Sequence, residues 1–206
     1  IKEVIDFVRS DDPRSKVKLA DGTLADYIPA KRIAIPVNKE NAIASGIVAE
    51  KDRDKMVDTV FINIKKNSLD KNQLMILANF DWKRPIYMTQ VYILQDFGLM
   101  DYLQFDGYAY RLVPILTPTQ NPYEIGRIDA DYAAPLLRDT FRYGNLEDPR
   151  VYVDYFIQYN LSASHARDAF ARVAKELLRQ NRVGEAVELL DLGLERMPTS
   201  QVRFTD

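Results

Sequence analysis

The feature that most constrains this chain is a change of pattern near residues 117–128. Upstream of it, apolar residues alternate with period two in some stretches and recur at helical spacing in others. Downstream, only the helical spacing is found. The connector Thr117–Pro122 carries two prolines and an asparagine, which favour turns and interrupt both helix and strand. A chain patterned this way is expected to be mixed α+β, with a small mixed sheet and helices over 1–120 and a helical part over 121–206.

Within the first part, Val4, Ile5 and Val8 predict a helix that stops at Asp11-Asp12-Pro13. Lys16–Tyr27 reads as a hairpin turning at Asp21-Gly22. Arg32–Val37 reads as a strand, Asn38–Ser45 as a short helix closed by Gly46, and Glu50–Lys55 as a charged loop. Val60, Ile62 and Ile64 share one face of a predicted strand over Asp58–Ile64. A helix over Ser68–Phe80, a buried strand over Pro85–Leu94, a short helix over Phe97–Phe105 and a strand over Tyr108–Leu116 complete this half.

The second half predicts helices over Asp129–Tyr143, Pro149–Tyr159, Ser162–Asn181 and Gly184–Met197. The last two have the length and small-residue spacing of one tetratricopeptide-like helix pair, over 162–198. Ala174, Ala186 and Gly193 let two backbones approach closely. One such pair cannot bury its own face, so it is expected to pack on the rest of the chain or to dock on a partner protein.

Several function classes lack material. The 28 basic and 30 acidic side chains leave a net charge of −2, without the basic excess of a nucleic-acid binder. There is no cysteine, and His165 is the single histidine, so the common zinc sites and a thiol nucleophile have no ligands here. No glycine-rich phosphate loop and no G-x-S-x-G elbow is present. The expectation is therefore no catalytic residue, no metal and no cofactor. No run reaches the ~18 apolar residues of a membrane span. The chain opens within a helical pattern and without Met, which reads as a boundary inside a longer polypeptide.

The densest chemistry is the stretch from Asp96 to Arg111. It holds three carboxylates (Asp96, Asp101 and Asp106) among Phe97, Tyr102, Phe105, Tyr108 and Tyr110. Aromatic faces beside acids and a guanidinium suit a sugar or peptide. Asp101, Tyr102, Tyr108, Tyr110 and Arg111 are the candidate ligand-binding residues. Packing of the rings in a core is the alternative. A carboxylate-based glycan hydrolase would need two of the acids within ~5 to 9 Å of each other.

Trp82-Lys83-Arg84-Pro85-Ile86-Tyr87, Gly98-Leu99-Met100-Asp101-Tyr102-Leu103-Gln104 and Gly107 to Ile115 occur here in order. Phe7 to Pro13, Asp26-Tyr27-Ile28-Pro29, Ile35 to Lys39, Leu69 to Leu77, Phe141-Arg142-Tyr143-Gly144 and Asp148 to Tyr152 accompany them. This ordered set resembles the C-terminal soluble region of the bacterial protein O-mannosyltransferase-like multispanning membrane family, a domain of unknown function. The resemblance implies a membrane-spanning part of the same polypeptide as partner and a periplasmic location. It also implies an accessory, non-catalytic role in acceptor or glycan binding or in bracing the membrane part. The catalytic acids of such enzymes lie in loops of the spanning part, so none falls on this sequence. An interaction module built on the terminal helix pair is the alternative.

Overall fold

The computed structural model describes residues 2–27, 31–63, 79–95, 97–118, 121, 124–159 and 166–204. The predicted helix over Ser68–Phe80 lies outside them except for its last two residues, as do Asp96 and His165. The fold is mixed α+β: small sheets with helices, and a helical C-terminal part. The chain forms two compact units. One comprises Ile1–Leu103 and Arg111–Gln120, the other Gln104–Tyr110 and Asn121–Asp206.

In the first unit, helix α1 (Lys2–Arg9) buries Ile5 and Val8. The Ser10 hydroxyl donates to the Phe7 carbonyl at 2.6 Å and helps end the helix. Asp12 then caps a 3-10 turn over Pro13–Ser15 by accepting the Arg14 N–H. The Arg14 guanidinium forks onto the same carboxylate, which holds the Asp12 carboxyl down to about 2.

Strands β1 (Lys16–Lys18) and β2 (Leu24–Asp26) form the predicted hairpin, with Gly22 at φ +86° in its turn. Strands β3 (Arg32–Pro36) and β4 (Thr59–Asn63) pair antiparallel, with Ile33 opposite Ile62 and Ile35 opposite Val60. Those four side chains are buried, whereas Ala34 and Phe61 on the alternate face are exposed. Arg32 lies over the Phe61 ring at 4.0 Å on that outer face. Between them, α2 (Lys39–Ala44) is capped by the Asn38 side chain and closed by Gly46 at φ +72°.

Three segments of this half differ from the expectation. The charged stretch Glu50–Lys55 is a 3-10 helix, not a loop. Its Asp52 is buried and accepts from Lys55 at 2.6 Å, so opposite charges three residues apart stabilise the turn. The strand expected over Pro85–Leu94 shrinks to β5 (Tyr87–Met88), and Tyr92–Leu94 is a 3-10 turn. A ladder is only as long as its partner, and β5 pairs with the three-residue β7 (Tyr110–Leu112). Likewise Phe97–Phe105 is a 3-10 turn over Met100–Tyr102 followed by strand β6 (Leu103–Phe105). The sheet order is β5-β7-β6.

Trp82 is fully buried in the first unit. Its ring lies 4.6 Å from that of Phe80, and its indole N–H donates to the Pro36 carbonyl at 2.8 Å. Asp81 and Trp82 both adopt positive φ, +41° and +56°. Asn41 donates to the Asp81 carbonyl and carboxylate, and Ser45 to the Trp82 carbonyl, so α2 fastens this left-handed corner.

In the second unit, α3 (Ala130–Pro135) begins at the Asp129 cap. Pro135 has no N–H to continue the helical ladder, and the chain widens into a π turn over Leu136–Thr140. The helix therefore stops before Phe141 and does not run to Tyr143. The helix expected over Pro149–Tyr159 is reduced to α4 (Tyr155–Tyr159). Upstream, Asp148 accepts both the Arg150 backbone N–H and its guanidinium, a local turn that competes with helix.

Helices α5 (Ala166–Arg179) and α6 (Val183–Arg196) form the terminal hairpin. Their inner faces (Ala169, Phe170, Val173, Leu177, Ala186 and Leu189) join Ala130, Ala133, Ala134 and Leu137 in one buried cluster. Gly193 is required at its position: a Cβ there would lie 2.9 Å from the Phe170 ring. Gly193→Val is expected to destabilise this unit by about 1–3 kcal/mol through overpacking. Thermal unfolding of the variant checks this, and an unchanged midpoint would count against the close approach.

Candidate functional site

The predicted binding residues fall in both units. In the first unit, Asp101 is half-buried in the 3-10 turn, and its carbonyl accepts the Thr117 N–H at 2.8 Å. Tyr102 is buried, and its carbonyl accepts the Val113 N–H at 2.8 Å. Arg111 is only 3% exposed and donates to the Gly46 carbonyl at 2.6 Å, where α2 ends. A guanidinium so placed ties strand β7 to a helix terminus, whose carbonyls lack helical partners.

In the second unit, Asp106-Gly107-Tyr108-Ala109 is a tight turn closed by the Asp106 N–H on the Ala109 carbonyl. Gly107 has φ +97°, and a Cβ there would meet the Phe141 ring at 2.7 Å. Tyr108 packs on Phe141 with ring centroids 4.6 Å apart. Burial raises the phenol of Tyr108 above its ordinary value and raises that of Tyr143 further, and the two hydroxyls are hydrogen-bonded to each other. Asp106 is buried and accepts from Gln104 at 2.9 Å, and Gln104 in turn accepts from Arg127 at 3.0 Å.

Tyr110 is half-buried beside Phe105, and its hydroxyl accepts from Arg172 at 3.0 Å. Arg172, itself only 6% exposed, lies over the Phe105 ring at 3.8 Å and also donates to the Ile125 carbonyl. Arg172 did not stand out in the sequence, because one arginine in a helix that also carries Arg167, Lys175 and Arg179 reads as part of a solvated face.

Two further features escaped the sequence reading. Tyr152, Tyr155, Phe156 and Tyr159 are 87, 79, 69 and 53% exposed, and α4 buries none of its residues. Such rings are read as core from composition alone. The second is a cleft of about 220 Å³ whose wall includes Arg138, Arg142 and Arg196, residues brought together only by the fold.

Among the described residues, no helix is long and apolar enough to cross a membrane. Residues 1–132 match the family model described as TMEM260-associated domain 2, and the chain belongs to that family. No curated protein and no solved structure matches the chain.

Proposed function

We propose that this member of the TMEM260-associated domain 2 family is a non-catalytic accessory domain of a membrane glycosyltransferase-like protein. It sits on the periplasmic side of a bacterial membrane and braces the membrane-spanning part of the same polypeptide. The observation that carries this reading is the aromatic segment Tyr152–Tyr159. Exposed tyrosine and phenylalanine are enriched where proteins dock, since each offers large contact area at small entropic cost. Five large apolar residues of this segment (Tyr152, Tyr155, Phe156, Ile157 and Tyr159) face solvent, which an isolated domain gains nothing from.

Bracing is favoured over holding a polypeptide or glycan acceptor on Asp101, Tyr102, Tyr108, Tyr110 and Arg111. Tyr102 and Arg111 are buried, and the hydroxyls of Tyr108 and Tyr110 are engaged with Tyr143 and Arg172. The hydrolase reading gains little from Asp106, a buried carboxylate bonded to Gln104.

A second reading keeps a specific observation of its own. The inner face of the α5–α6 hairpin is closed by α3, but its outer face carries Val183, Val187, Leu190 and Leu194. They recur at i, i+4, i+7 and i+11 and are 57, 51, 39 and 45% exposed. A protein partner seated on this stripe makes the hairpin an interaction module.

The test is a full-length polypeptide carrying Tyr152→Ser, Tyr155→Ser and Phe156→Ser together. Its detergent-extracted form is expected to melt at least about 3 °C lower than the parent. The same changes in the isolated chain leave its circular dichroism unaltered. An unchanged midpoint, or a full-length gene product without apolar spans, contradicts the proposal.

A further inference from the structure

The cleft lined by Arg138, Arg142 and Arg196 is independent of that docking reading. Arg138 lies in the π turn after α3, Arg142 just beyond it, and Arg196 in the last turn of α6. Among the described residues, Glu147 is the one carboxylate on the cleft wall, and it meets Arg196 loosely at 3.6 Å, both side chains being about two-fifths exposed. Three guanidiniums against one carboxylate leave a formal excess of two positive charges on the wall. That excess runs against the sign of the whole chain, which is −2. The Glu185 carboxylate feels Arg138 from outside the cleft but is itself paired with Arg182 at 2.7 Å. Among the described residues, Arg142 hydrogen-bonds only to the Asp139 backbone carbonyl, at 3.3 Å.

The rest of the wall is aromatic. Phe141 is held by Tyr108, and Tyr143 by its bond to the Leu137 carbonyl at 2.8 Å and by packing on Phe170. Their faces are fixed before any ligand arrives. The volume corresponds to about seven waters of liquid. That is enough for a tetrahedral oxyanion and a small attached group.

We infer that this cleft binds a phosphomonoester, with the oxyanion held by Arg138, Arg142 and Arg196 and its substituent against Phe141 and Tyr143. Guanidinium forks match phosphate oxygens two at a time. A dianion balances the excess of two charges, whereas a carboxylate leaves one uncompensated. The C-terminal end of α6 opposes an anion with only about half a unit charge.

The experiment uses the full chain and two probes. Phenyl phosphate is titrated by calorimetry, and vesicles of phosphatidylcholine with and without phosphatidic acid are tested by flotation. Arg138→Gln, Arg142→Gln and Arg196→Gln are made singly and together, each checked by circular dichroism. Saturable binding of phenyl phosphate, at least tenfold weaker in Arg142→Gln and abolished in the triple variant, supports the site and assigns it to a free ligand. Flotation that requires phosphatidic acid and is lost in the triple variant supports it and assigns it to a lipid headgroup. Absence of both, or binding equally strong in the folded triple variant, overturns the inference.

Discussion

Trp82→Ala is expected to destabilise the unit of residues 1–103 and 111–120 by about 3–5 kcal/mol. Three losses add in one direction. The largest is the cavity left by a side chain with no exposed surface. The second is the tilted ring contact with Phe80, with centroids 4.6 Å apart. The third is the indole donor to Pro36, a bond worth about 1 kcal/mol net. Trp82→Phe keeps an aromatic ring but not the donor or the full volume, so about half that loss is expected. Urea unfolding followed by far-ultraviolet circular dichroism measures both. As the single tryptophan, Trp82 also reports on the parent by its own fluorescence. A loss below about 1 kcal/mol for the alanine variant would mean that the corner at Asp81-Trp82 does not organise this unit.

Arg172→Ala is expected to cost the second unit about 2–4 kcal/mol. The guanidinium gains from the Phe105 face and from charged hydrogen bonds to the Tyr110 hydroxyl and the Ile125 carbonyl. Against that stands its desolvation, since among the described residues Nε is buried without a partner and the ion-pair oxygen, on the half-exposed Asp168, is 3.9 Å away. Packing and bonds outweigh desolvation only because the aliphatic stem also fills space. Arg172→Met restores the stem without the charge and is expected to recover at least half of the loss. Denaturant unfolding of both variants decides. A methionine variant as unstable as the alanine variant would contradict the packing account and place the energy in the donors.

What the sequence made legible is local chemistry. The alternation in β3 and β4, the turn at Asp21-Gly22 and the closing of α2 by Gly46 each act within a few residues, and each is found. The small residues of α5 and α6 were also readable, and Gly193 stands against Phe170. Where a distant partner decides, the reading failed. Tyr-, Ile-, Val- and Thr-rich 85–94 suits a strand, but the short β7 gives it little to pair with. Pro135 was visible, yet its effect depended on whether the helix broke or widened. The candidate site fared similarly. Aromatic residues near acids look alike in a core and at a surface, so 101–111 and 152–159 could not be ranked. The fold buries much of the first and exposes much of the second. The arginines of the cleft come from two elements far apart in sequence, which no spacing rule connects.

In the proposed bracing role, the aromatic segment faces the membrane-spanning part of its own polypeptide. Photocrosslinking tests it most directly. A benzophenone amino acid replaces Tyr155 in the full-length protein, with Leu24, 70% exposed in the β1–β2 hairpin, as the control position. Irradiation in membranes is expected to join position 155 to a peptide of the spanning part, while position 24 gives little of that product. Equal yields at the two positions, or no crosslink from 155 to the spanning part, would contradict it.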